Sequence, residues 1–207
     1  ALFYLGGALV VVLVHASAVP AAFAAIFRGA FGLAPAGGGV LGCGVARAVT
    51  WGFKRGAFSN EAGLGASVMV HSSSNVTEPV QQGMWGLFEV FADTLVVCTL
   101  TALVILTSGL VDLETGRAAA GVVGSALVGK AFSTVFGSFG PKFIAVSILL
   151  FAYSTVLGWS QYGTKAVSYL LGPRAGGAYQ AVFVGIIVVG AVMKLDLAWD
   201  LSDTFNG

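Results

Sequence analysis

The stretch FIAVSILLFAYSTVLGWSQYGT, residues 143–164, runs for 22 residues without a charge. An α-helix rises 1.5 Å per residue, and a bilayer hydrocarbon core is about 30 Å thick, so about 20 apolar residues cross it. The segment therefore predicts a membrane-crossing helix, and with it an all-α polytopic membrane protein.

The flanks agree with that reading. Ala175–Met193 offers a second uncharged span, and Gly83–Val111 a third, uncharged from Thr94 onward. Ala1–Val14 reads as the end of a cut spanning helix closed by His15–Pro20. Ala21–Phe31, too short to cross and carrying Arg28, suits an amphipathic helix on the membrane surface. Gly32–Gly44 holds six glycines and a proline, poor material for a continuous helix. Gly121–Gly140 has the length of a re-entrant or interfacial helix, and Leu197–Gly207 reads as the start of another. A chain that opens inside an apolar run and begins without Met is expected to be an internal fragment, residues 1–207 being one transmembrane domain with helices missing at both ends.

Composition excludes much else. The chain is 57% hydrophobic and only 9% charged, with a mean hydropathy of +0.92. A water-soluble domain carries about 25% charged residues, so this one cannot cover itself against water. A formal net charge of +1 gives no basic face for nucleic acid. Thirty glycines suit close backbone approach between membrane helices. Cys43 and Cys98 lie in apolar stretches and read as small buried hydrophobes. By the preference of basic loop residues for the cytoplasm, the link around Lys165 and Arg174 faces inward. The links with Asp112 and Glu114, and with Asp196 and Asp200, then face outward, and His71–Gln82 faces inward.

Two constellations place polar chemistry deep in apolar surroundings. In Gly52–Gly65, the residues Lys54, Arg55, Ser59, Asn60 and Glu61 are set among glycines. Ionisable groups inside a membrane segment line a bundle interior or a watery cavity, and glycines let the helix unwind so that carbonyls meet cations and amides meet carboxylates. The alternative is a structural knot in which Glu61 pairs with Lys54 or Arg55. In Phe151–Trp159, Ser154, Gly158 and Gln161 form one helical stripe, with Thr155, Trp159 and Tyr162 beside it. Neighbouring hydroxyls and a carbonyl one turn back offer oxygens to a small hard cation, and a Trp one turn below walls a small side chain. The alternative is that both hydroxyls bond back to their own helix. Glu89 and Asp93, one turn apart, complement a helix dipole or carry protons. The run Gly124–Ala131 misses a phosphate loop, because Ala131 stands where a hydroxyl belongs. No nucleophile–base pair or metal-ligand spacing appears, so an enzyme is not expected.

The block Lys54-Arg-Gly-Ala-Phe-Ser-Asn-Glu-Ala-Gly-Leu-Gly65 resembles the alanine/glycine:cation symporter family, the sodium:alanine symporters. Matches continue in order through Pro79-Val-Gln-Gln-Gly83, Phe91-Ala-Asp-Thr94, Cys98-Thr-Leu-Thr101, Ala131-Phe132, Phe151–Trp159, Leu195-Asp-Leu-Ala-Trp199 and Ser202-Asp203. The family pattern differs where this chain has Ala66-Ser67-Val68, and again at Ser160 and Gln161. The resemblance implies a LeuT-type fold of two inverted five-helix repeats, with this chain running from about the fifth helix to the start of the tenth. It implies sodium-coupled symport of small neutral amino acids, alanine or glycine, across the cell membrane, with sodium as coupling ion and no other cofactor. Ser59, Asn60, Gly63, Thr155 and Trp159 would bind substrate. Phe151 (by its carbonyl), Ser154 and Thr155 would bind the cation. The rival expectations are a proton-coupled carrier and a channel or structural membrane subunit.

Overall fold

The computed structural model describes residues 1–31, 50, 65–118, 122 and 124–206. These are helical almost throughout: α1 (Leu2–Val14), α2 (Val19–Phe31), α3 (Ala66–His71), α4 (Pro79–Val90), a π-helical segment (Phe91–Val97), α5 (Cys98–Thr107), α6 (Ser125–Phe136), α7 (Gly140–Leu171), α8 (Pro173–Val192) and α9 (Leu195–Asn206). Among the described residues the only β-type pairing is an isolated bridge between Val111 and Ala118.

Among the described residues, three helical stretches are long and apolar enough to cross a membrane: Pro79–Thr107, Ser125–Leu171 and Pro173–Val192. The pair Leu2–Val14 and Ala16–Arg28 passes only together and is bent by 76°. Large apolar side chains such as Leu149, Leu150, Leu157, Val182, Ile186 and Val189 are exposed along these helices. In water that surface would be a liability, whereas in lipid it is what a spanning helix presents.

Several boundaries differ from the sequence reading. Pro20 does not close the first helix. A short 3-10 turn, Ala16–Ala18, makes the bend, and Pro20 sits in the first turn of α2, where its missing N–H costs nothing. The third span starts at Pro79 rather than Gly83 and carries the π segment in its middle. Lys165 is not in a link, because α7 runs on to Leu171. Gly172, at φ 90°, ends it in a conformation that suits only glycine, and Pro173 opens α8 immediately. Cys98 is exposed rather than buried.

The chain divides into two compact units, Ala1–Ala48 with Gly83–Tyr153 and Val49–Gln82 with Ser154–Gly207. In the first, α1 packs on α5 and α6. Its core joins Tyr4, Ala8, Val11, Val104, Phe132, Phe143 and Ile144. Phe132 and Phe143 stack with centroids 5.2 Å apart, and Phe136 stacks on Phe143 at 5.8 Å. Gly7 makes room for this, since a Cβ there would overlap the Phe143 ring. In the second unit, the C-terminal turns of α7 meet α8 through Gly163, where a Cβ would overlap the Tyr179 hydroxyl, and through Gly176 against Ser168 and Thr164.

Candidate functional site

α7 contains 32 residues, Gly140–Leu171. At 1.5 Å per residue it is roughly 48 Å long, and its centre falls between Thr155 and Val156. Ser154, Thr155, Gly158, Trp159 and Tyr162 line one cavity of about 240 Å³. The spacings of three, four and seven between these positions put them on one side of the helix, which is why the cavity follows the helix axis. Trp159 is half-exposed and meets Tyr162 edge-on, with centroids 6.0 Å apart. The aromatic pair thus walls one end, and the two hydroxyls lie one turn away. Gly158 leaves the floor open: nothing lies within 4 Å of where its Cβ would be. Pockets for drug-sized ligands occupy about 300–1,000 Å³, so this one suits something smaller.

The sequence-derived residues are therefore only partly assembled. Ser154, Thr155 and Trp159 share the cavity. The ring of Phe151 does not. It meets Tyr4 edge-on at 5.7 Å and borders a different cavity of about 250 Å³, lined also by Val97, Thr101 and Ser147. Its carbonyl stands one turn before Thr155 on the same helix. Ser59, Asn60 and Gly63 lie outside the described residues.

The second cavity was not foreseen. Thr101 Oγ1 donates to the Val97 carbonyl at 2.8 Å, so Tyr4 donates to Thr101 at 2.6 Å. Ser147 donates to the Phe143 carbonyl at 2.9 Å. These hydroxyls are spent on one another and on backbone, and the walls are apolar, so the arrangement braces α1 against α5. No periodicity links Tyr4 to Thr101, which stand 97 residues apart. A further unforeseen contact joins Lys165 on α7 to α3: its Nζ donates to the Met69 carbonyl at 2.6 Å and to the Ser73 hydroxyl. A lone cation at the end of an otherwise apolar helix was the available signal, and reading it as part of a loop concealed it.

Apolar helices of spanning length, with hydroxyls and an aromatic wall around a small cavity on one of them, define a multi-pass helical membrane protein. Comparison with known proteins narrows this. The model of the sodium:alanine symporter family matches residues 1–207. The chain belongs to that family, whose members are transport proteins rather than enzymes. It is 38% identical over 200 residues to the uncharacterized transporter YflA of Bacillus subtilis, covering 97% of this chain and 42% of that protein. It is 35% identical over 207 residues to the sodium/alanine symporter AgcS of Methanococcus maripaludis, covering 100% of this chain and 44% of that one. It is 36% identical over 208 residues to the probable sodium/glutamine symporter GlnT of Bacillus subtilis, covering 100% and 41%. The chain thus spans about two-fifths of the length of the curated relatives it matches.

Proposed function

We propose that this chain is part of a single transporter domain that carries small neutral amino acids, alanine or glycine, across the cell membrane with sodium. The observation that carries the reading is the cavity at the centre of α7, where Ser154 and Thr155 face the same space as Trp159. A sodium ion takes oxygen ligands of the kind that adjacent hydroxyls and a helix carbonyl supply. On this reading Ser154, Thr155 and the Phe151 carbonyl hold the ion, while Trp159 limits the length of the side chain. Ser59, Asn60 and Gly63 meet the carboxylate and ammonium of the passenger. The family supports amino acid transport, and AgcS, by its name, supports alanine with sodium. The LeuT-type arrangement, with this chain as about the fifth helix to the start of the tenth, is part of the same proposal.

Sodium entry down an electrical gradient releases about 2.3 kcal/mol per charge per 100 mV, with the concentration term in addition, which is enough to concentrate an uncharged solute. The test is uptake of radiolabelled alanine by the full-length protein in proteoliposomes. Accumulation that vanishes when sodium is replaced by potassium is expected. Accumulation unchanged in potassium would end the sodium assignment, and accumulation driven by a pH jump alone would replace it with proton coupling through Glu61, Glu89 or Asp93.

A further inference from the structure

The same side of α7 continues past the candidate site. Counting from Ser154, the positions Gly158, Lys165 and Tyr169 recur at helical spacing, and Lys165 lies roughly 16 Å beyond Ser154 along the axis. There a second cavity of about 500 Å³ opens, lined by Met69, Ser72, Lys165, Ala166, Tyr169 and Leu170. The two cavities thus succeed one another along one helix, Tyr162 ending the first and Lys165 opening the second.

That second cavity is bordered by Met69 of α3, a helix of six residues, and by Ser72 just after it. The helix begins at Gly65, whose φ of 79° is the left-handed conformation that favours glycine. At its other end the last carbonyls of a helix lack partners and carry partial negative charge. The Met69 carbonyl accepts from Lys165 Nζ at 2.6 Å and from the Ser72 hydroxyl at 2.9 Å. Lys165 also reaches Ser73 Oγ, and His71 is tied to Gln82 at 2.5 Å. α3 is therefore fastened at its C-terminal end by a cation on α7.

We propose that Lys165 is a positioning residue, a latch that holds α3 over the path from the Ser154–Tyr162 cavity to the end of α7, and that release of the passenger on that side requires Nζ to leave Met69 and Ser73. The proposal rests on the transport reading above, because a latch has meaning only where a solute must pass. A charge-assisted hydrogen bond to a helix end is strong enough to keep the path shut at rest and weak enough to open in each cycle. On the proposed reading this end of α7, with Lys165 and the nearby Arg174, is the cytoplasmic one.

The test uses the full-length protein with all its cysteines, Cys43 and Cys98 among them, replaced by serine and a single reporter, Ala166→Cys, in inside-out vesicles. A membrane-impermeant maleimide is applied and the labelling rate measured. Lys165→Ala is expected to raise the rate about tenfold, the factor that one charge-assisted hydrogen bond commands in an opening equilibrium. Lys165→Arg, which keeps a donor, should restore slow labelling. Ser73→Ala removes only one of the two acceptors and should raise the rate less, in the same direction. It decides the matter if Lys165→Ala does not fold. A labelling rate within twofold of the parent in a folded Lys165→Ala protein, or in Ser73→Ala where that variant decides, overturns the latch. Labelling needs no substrate, so the latch is scored even if alanine uptake fails, and uptake with unchanged labelling sinks the latch alone.

Discussion

Gly158 separates the stability of α7 from the use of its cavity. It sits inside a continuous helix, a position where glycine costs about 0.5–1 kcal/mol relative to alanine. Nothing lies within 4 Å of its missing Cβ, so Gly158→Ala should fold at least as well as the parent, and the Cβ of Gly158→Leu has room as it leaves the helix. The added side chain enters the space lined by Ser154, Thr155, Trp159 and Tyr162, which is about 240 Å³ in all. A passenger must then share that space, and overpacking of this kind costs about 1–3 kcal/mol. At 1.4 kcal/mol per tenfold, alanine affinity falls about 5- to 150-fold. The assay is the KM for alanine uptake by the full-length protein, read beside the thermal unfolding midpoint of the same preparation. Gly177→Ala on α8 is the control, since it too faces open space but lies away from the cavity. Its midpoint should rise and its KM stay put. A Gly158→Leu protein of undiminished stability whose KM is within twofold of the parent would show that the passenger does not sit at this face of α7.

Three other outcomes are expected on the same structural grounds. Thr155→Val removes one oxygen from the cavity while nearly keeping the shape, and loss of a contact to a charged partner, about 1.5–3 kcal/mol, should raise the half-saturating sodium concentration at least about tenfold. An unchanged sodium dependence would move the ion elsewhere. Gly140→Ala would put a Cβ 2.5 Å from the Ser133 nitrogen and 2.8 Å from the Phe132 carbonyl carbon. These are backbone atoms that cannot rotate away, so the unfolding free energy should drop by about 1–3 kcal/mol in a denaturant or thermal scan. In the loop after α5, Asp112 accepts from the Thr115 hydroxyl at 2.7 Å and the Glu114 amide at 2.9 Å. The Thr115 hydroxyl foremost, then the Glu114 amide, hold its carboxyl below the ordinary range. A carboxylate depressed by folding stabilises the turn above its unfolded value and loses that contribution as pH falls through the folded one. The Asp112 carboxyl followed by NMR should therefore titrate below a free aspartate, and a midpoint at or above the free value would refute the contacts.

How much of this was legible depends on what each feature owes to local sequence. The spans around Leu149 and Val184 were readable because an uncharged run of that length has one stable home. The polar residues of α7 were readable because Ser154, Thr155 and Trp159 obey the period of a single helix. The π segment was not, since Phe91–Val97 sits in a stretch largely apolar around the helix, where no polar face shows a change of pitch. Lys165 misled for a physical reason: a cation closes a span in the hydropathy count, but its four-carbon stem lets the helix continue while the ammonium finds a partner. Here the helix stops only at Gly172. The Tyr4–Thr101 contact had no local signature, because it depends on α1 and α5 meeting in the folded unit.

The length of α7 bears on the mechanism. From Lys142 to Lys165 the helix rises roughly 35 Å, close to the about 30 Å of a hydrocarbon core with both side chains reaching outward. On the proposed reading the two lysines lie near the two faces of the membrane, and Ser154 and Thr155 fall near the midpoint between them. At that depth there is no water to solvate a bare cation, so whatever binds one must replace its hydration shell with protein oxygen. A hydroxyl is the least costly oxygen to keep there: at rest it can bond back to its own helix, and it turns outward only when an ion arrives. A carboxylate at the same place would carry the cost of a buried charge through every empty return step. On the proposed reading, binding by neutral oxygens at the helix centre would let the empty carrier reset without that burden. On this account, Ser154→Asp should tighten sodium binding yet slow the return of the unloaded carrier, and turnover should fall even as apparent sodium affinity rises. Sodium-dependent uptake kinetics in proteoliposomes check this, and a Ser154→Asp carrier with parental turnover would refute it.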